Sequence, residues 1–384
     1  MTTPWERYLD RWTSRGLIDP GTAERIRAFE SEQEESQGLR WPVLIAIAFG
    51  GLLLGTGVLL FVAAHWDTLA PAHRFVLVLL SVAGFHVAGA LVSERFSALS
   101  TTFHAVGTVC LGAGIFLAGQ IFNLQEHWPG GLMLWSLGAW FAWLLLRDWP
   151  QAALAAALTP AWLGGEWLEG TRGLSGAEKN RTEGLLLLSV TYLTACLPGK
   201  ETAARKALMW IGGLTLIPLT FAVAESPMSV YGRQGTLPES FRLFGWTVAL
   251  LLPLALAWRL RKRATWMNLI AALWVLALGT TGGWFDGGGG LLRHAWHASG
   301  SYVMCALGSV GLILWGRQET RKERINLGVA GFALTVLFFY FSSVMDKLER
   351  SASLIGLGLL FLLGGWLLEK TRRRLVARLE SQRS

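Results

Sequence analysis

Two groups of polar residues lie where long apolar runs end or pass one another, and chemistry would have to sit there. The first is His65, Trp66 and Asp67 after one run, with Gln120, Asn123, Gln125, Glu126 and His127 after another. Gln120 is the member most enclosed by apolar sequence, and an amide in hydrocarbon needs a partner, for which Asp67, His65 or a backbone carbonyl stand nearest. His65, Trp66, Asp67, Gln120, Asn123 and Glu126 are therefore the expected ligand-binding set, weighed against a plain hydrogen-bond network at helix ends. The second group is His86 and His104. Imidazole titrates near neutrality, which suits a proton relay or a substrate hydrogen bond; a neutral histidine bonded across two helices is the plainer alternative.

Other chemistry finds little support. His294 and His297 share i, i+3 spacing near Asp286, but the stretch is glycine-rich and makes a weak metal signature, so no metal or other cofactor is expected. Gly287–Gly290 follows no strand and precedes no Lys-Ser/Thr, which excludes a phosphate-binding loop. There is no Ser-His-Asp order, no His-Glu-x-x-His, no pair of intramembrane aspartates, no arginine ladder and no channel-filter motif. Catalytic residues are accordingly expected to be none.

The elements carrying these residues are membrane spans. The 384 residues are 52% hydrophobic and 16% charged, where soluble domains hold roughly 25% charged residues. Charge-free runs such as Pro42 to Ala64 and Thr101 to Phe122 match a hydrocarbon core about 30 Å thick. A barrel would show short alternating segments instead. Spans are expected at 43–64, 72–92, 101–122, 130–146, 150–166, 184–198, 207–224, 242–258, 264–282, 298–316, 324–345 and 352–368. The fifth and sixth are short and fit a re-entrant or interfacial pair as well, so the expected fold is an all-α polytopic bundle of about twelve spans, with ten as the lower bound. No secretory signal precedes the first span, which is expected to remain in the mature chain. Cys110, Cys196 and Cys305 all fall in apolar runs, as packing residues would.

Placing the N-terminus in the cytoplasm puts 25 of the 34 basic residues in cytoplasmic segments, as the positive-inside rule requires. Both termini are then inside. The same distribution spreads the net charge of +8 over short turns, so no nucleic-acid partner is expected. Four regions follow: a cytoplasmic helical hairpin at 1–42, spans one to four at 43–150, the remaining spans at 151–368 and a basic cytoplasmic tail at 369–384. In the hairpin, Trp5, Leu9 and Trp12 share a face, Gly16 is the expected C-cap, and Ile26 and Phe29 are expected inward. Glycines such as Gly51 and Gly55, or Gly107, Gly112, Gly114 and Gly119, read as close-packing positions. Trp41, Trp66, Trp128 and Trp149 occupy interfacial belt positions.

Ala64-His65-Trp66-Asp67 and Leu117-Ala118-Gly119-Gln120-Ile121-Phe122-Asn123-Leu124 resemble the bacterial predicted membrane proteins called domain of unknown function 2157. Trp12, Gly16-Leu17-Ile18 and Ala23-Glu24-Arg25-Ile26 are similar to the family's N-terminal segment, so the resemblance covers roughly residues 5–150. The C-terminal Gly364-Gly365-Trp366-Leu367-Leu368-Glu369-Lys370, followed by Arg372 to Arg374, is similar to the end of longer members. The family usually has Asn-Trp-Asp at 65–67 and Gln-Ile-Tyr-His at 120–123. Here histidine and amide have changed places, the pattern a contact between 65 and 123 would leave. The resemblance implies a bacterial inner-membrane location and, as a partner, a small membrane protein with a Gly-Asp-Tyr-x-x-Leu-x-Tyr motif. It implies no activity. Binding or transport of a small or lipidic ligand through the outer cluster is the first functional expectation, an envelope scaffold or assembly partner the second, and a membrane enzyme the third.

Overall fold

The computed structural model describes residues 4–37, 70–122, 127–197, 201–224, 235–281 and 291–341, with isolated helical positions at 49, 50, 53, 57, 60, 358 and 362. The expected spans at 43–64 and 352–368 otherwise lie outside the described residues. The remainder is nearly all helical. Two helices, the amphipathic α1 (Pro4–Ser14) and the polar α2 (Pro20–Gln37), precede α3 (Pro71–Val92), α4 (Ser97–Phe122), α5 (Trp128–Leu146) and α6 (Trp149–Gly170). Then come α7 (Ala177–Leu193), α8 (Ala203–Ala224), α9 (Glu239–Arg261), α10 (Trp266–Thr281), α11 (Leu291–Gln318) and α12 (Lys322–Phe339). A two-residue parallel bridge joins β1 (Leu174–Ser175) to β2 (Gly235–Thr236). Among the described residues, five segments are long and apolar enough to cross a membrane: Pro71–Val92, Ser97–Gln120, Trp128–Leu146, Ala203–Ala224 and Glu239–Thr281.

Solvent-type patterning is inverted. Leu79, Leu80, Leu91, Leu145, Leu214 and Trp258 are exposed, while Gln151, Asn180, Glu183, Asn268 and three arginines are buried. An apolar exterior is what a hydrocarbon solvent selects, because polar groups can be satisfied only inside the bundle.

Helix α7 lies at the centre. Eleven of its 17 residues are buried, and it packs on α6, α8, α9 and α10. It begins at Ala177, seven residues before the expected span, because Asn180 and Glu183 belong to an inward polar face and not to a loop. Helix α6 runs for 22 residues, with Asp148 accepting from the Gln151 N–H as its N-cap. Backbones of α7 and α8 touch at Gly212, where a Cβ would meet Leu193 N and Ser189 O, and Ser189 Oγ donates to the Gly212 carbonyl at 2.8 Å.

The N-terminal pair closes as a short hairpin. Gly16 takes φ +69°, its N–H bonds Thr13 O, and Asp19 caps α2 by accepting from Thr22 N at 2.8 Å. Hydrogen bonding from the Thr22 hydroxyl, and then from its backbone N–H, holds the Asp19 carboxyl below its ordinary range. Leu9 and Ala23 are buried, whereas Phe29 is exposed. The inward expectation for Phe29 therefore fails: six residues on from Ala23, it lies about 240° round the helix.

At one end of the bundle, Glu319 joins the ends of α7, α9 and α12. Its carboxylate accepts from Arg261 Nη2 at 2.5 Å, from Arg324 Nη1 at 2.6 Å and from Trp315 Nε1 at 2.7 Å. The two guanidiniums also donate onward, Arg261 to Thr194 O at 2.6 Å and Arg324 to Cys196 O at 3.1 Å. Burial raises the Glu319 carboxyl, but these hydrogen bonds and the Arg324 charge outweigh it and leave the group below its usual range.

Two outcomes follow from this packing. Gly212→Ala is expected to cost about 1–3 kcal/mol because two backbones must separate, whereas Gly213→Ala, which meets only Leu193 Cδ1 at 3.7 Å, is expected to be neutral or stabilising in the same thermal unfolding assay. Glu319→Gln is expected to cost about 3–5 kcal/mol, as breaking a buried ion pair does. Since the folded carboxyl is depressed, its contribution is complete above the unfolded value and vanishes as pH falls through the lower folded one. Melts from pH 7 to pH 3 should show the parent losing its advantage over Glu319→Gln only at the acid end.

Candidate functional site

Among the expected site residues, the structure brings His86 and His104 together. Antiparallel α3 and α4 place the two Nδ1 atoms 3.0 Å apart and the ring centroids 5.3 Å apart. One Nδ1 must then donate and the other accept, which requires at least one neutral ring. The approach depends on reciprocal glycines. A Cβ on Gly89 would lie 2.9 Å from the His104 ring, and one on Gly107 would lie 2.9 Å from the His86 ring. Around the pair, Thr108 Oγ1 donates to His104 O at 3.1 Å and Trp135 Nε1 to Thr108 O at 2.8 Å, with the indole seated over Gly112.

Asp148, at the turn into α6, lies within electrostatic reach of His104. Burial raises its carboxyl, and the Gln151 N–H and the histidine pull against that. Gln151 is fully buried, and neither amide atom has a partner among the described residues. Nothing in the sequence reading singled out Asp148 or Gln151; a polar pair opening an apolar helix directly after Arg147 was the available signal.

At the opposite end of these helices, Gln120 sits exposed in the last two turns of α4. His65, Trp66, Asp67, Asn123 and Glu126 lie outside the described residues, so the outer cluster is represented by Gln120 and His127 alone. His127 Nε2 meets Glu166 Oε2 at 2.7 Å, Trp162 Nε1 donates to Glu166 Oε1 at 3.0 Å, and Trp128 Nε1 donates to Glu169 Oε2 at 3.0 Å. Two α6 glutamates thus clasp the start of α5. His294 and His297 fall within α11, and the described residues hold no group of three or more side chains suited to a metal.

A larger opening lies on the other side of α6. Helices α5, α6, α7 and α9 and the start of α8 bound a groove of about 970 Å³. Its middle is apolar, lined by Ala156, Leu163, Leu188, Val248 and Leu252, while Glu166, Asn180 and Arg181 stand at one end and Thr202 and Arg205 at the other. Tyr192 in its wall donates to Ala156 O at 3.0 Å. Neither end was read as a site from sequence, because Asn180, Arg181, Thr202 and Arg205 fall in what reads as turns between spans and Glu166 closes an expected span.

Replacing His86 and His104 by leucine singly and together should give a coupling energy of about 0.6–1.7 kcal/mol, the range for hydrogen bonds between membrane helices. Additive losses in a detergent unfolding titration would mean that the rings are neighbours without a bond.

No curated protein and no solved structure matches this chain. Residues 10–152, from α1 through the histidine pair to the first turn of α6, match the family described as Predicted membrane protein (DUF2157), the family that the Trp12 and Gln120 segments resemble.

Proposed function

We propose that this is a multi-pass protein of the bacterial inner membrane, with about twelve spans and both termini in the cytoplasm, that binds a lipidic ligand in the groove between α6, α7 and α9. The groove carries the reading. Its volume stands at the top of the range of about 300–1,000 Å³ seen for ligand pockets, and an empty space of that size would leave its lining atoms without dispersion partners. Within a bilayer, hydrocarbon tails are the available filling. Burial of a tail adds little preference there, since lipid is as apolar as the groove wall. Selectivity would come from the polar ends, with Arg181 and Asn180 at the outer face and Arg205 and Thr202 at the cytoplasmic face. The exposed Gln120 lies on a separate outer surface, which remains the expected contact for a small-molecule or membrane-protein partner.

The test is retention of lipid by detergent-purified protein. Native mass spectrometry of the parent should show a bound phospholipid, and phospholipid added back at a hundred times its dissociation constant should stabilise the fold by about 2.7 kcal/mol. Leu188→Trp projects an indole into the middle of the groove and should weaken both effects with the fold retained. Equal lipid retention by the variant would refute the groove as the site. Lipid-independent stability with a second membrane protein co-purifying would favour the scaffold reading.

A further inference from the structure

The arginines around Glu319 and Glu201 outnumber the carboxylates available to them. Arg261, Arg321 and Arg324 are 3%, 6% and 2% exposed, and Arg205 is half-buried beside them. Glu319 serves Arg261 and Arg324; Glu201 takes Arg321 Nη1 at 2.6 Å and Lys206 at 3.7 Å. Arg205 spends its donors on two carbonyls, Ala195 O at 2.7 Å and Leu260 O at 3.0 Å, which carry no compensating charge. Among the described residues, four guanidiniums thus face two carboxylates. Three buried N–H groups are left over, since Arg321 Nε, Arg321 Nη2 and Arg261 Nε have no partner among the described residues. Arg205, Arg321, Arg324 and Glu201 all act electrostatically on Cys196, which marks the place where they converge. The cluster reaches the surface beside Glu201 and Lys206, both exposed.

An uncompensated buried charge and an unmade hydrogen bond are both costly, and one ligand removes both costs here. It must be anionic and must present at least two acceptor oxygens to a planar guanidinium. We infer that Arg321, with Arg205 beside it, binds a phosphate group at this end of the bundle. Arginine suits that role because its Nε and Nη2 form a fork that grips two phosphate oxygens at once. The phosphate comes either from a phospholipid headgroup or from a soluble phosphate. The site does not depend on a lipid tail occupying the groove, and it is tested without one.

Full-length protein in a zwitterionic detergent is titrated with inorganic phosphate at constant ionic strength, with chloride as reference, and melting is followed. Phosphate should raise the melting temperature saturably, and Arg321→Gln should weaken the response about ten- to a hundredfold. Arg259→Gln, which removes an exposed charge from the same end, should leave the response intact. Should Arg321→Gln fail to fold, Arg321→Lys keeps the charge and loses the fork, and at least a tenfold weaker response is expected. A second arm compares nanodiscs of phosphatidylglycerol and phosphatidylcholine. Stabilisation by phosphatidylglycerol, competed away by free phosphate, identifies the headgroup as the source; a response to free phosphate alone identifies a soluble one. No saturable response in either arm, or an equal response from the parent and the Arg321 variants, overturns the proposal.

Discussion

Hydrocarbon offers no hydrogen bonds, so every polar group carried into the bundle has to find its partner there, and Glu319 shows the arrangement at its most concentrated. One carboxylate receives two guanidiniums and an indole, and those guanidiniums then reach carbonyls of Thr194 and Cys196 just beyond α7. Because α7 sits between α6, α8, α9 and α10, fixing its end fixes the helices packed on it. Trp315 contributes its ring face as well as its N–H, with Arg261 and Arg324 lying 5.1 and 5.6 Å from the ring centroid. Charge spread over an aromatic face is less costly to bury than charge on a bare ion.

The two halves of the bundle meet the same constraint differently. In α3 to α6 the buried and half-buried polar groups include imidazoles and hydroxyls: the paired histidines, Thr108, and Ser136 with Thr159 at 3.0 Å. From α7 onward the arrangement becomes ionic, and Glu183 is the exception that marks its limit. That carboxyl is enclosed against Gly279, with Lys179 no nearer than 3.9 Å.

Helix positions were largely legible in the sequence because lipid demands long charge-free runs, and these are visible without knowledge of what packs on what. The inner face of α7 was not. Asn180 and Glu183 lower the local hydropathy, and a reader who equates polarity with solvent places them in a loop. The arginine cluster escaped for the opposite reason. Arg261, Arg321 and Arg324 were counted correctly as basic residues near span ends, but a positive-inside count treats each as solvated, and only the fold brings residues some 60 positions apart onto one carboxylate. A bond between His86 and His104 across two helices was among the sequence expectations; the glycines opposite each ring required coordinates.

Those reciprocal glycines also limit how α3 and α4 can move. Sliding one helix by a single turn, about 5.4 Å, would carry the His104 ring from Gly89 to Phe85 or Ser93 and the His86 ring from Gly107 to Phe103 or Leu111. Each alternative puts a side chain where only a hydrogen fits. The pair therefore has one permitted register, pinned from both sides like two teeth in opposing notches. Shear between these helices is blocked, and any working motion has to carry them as one rigid blade against the rest of the bundle.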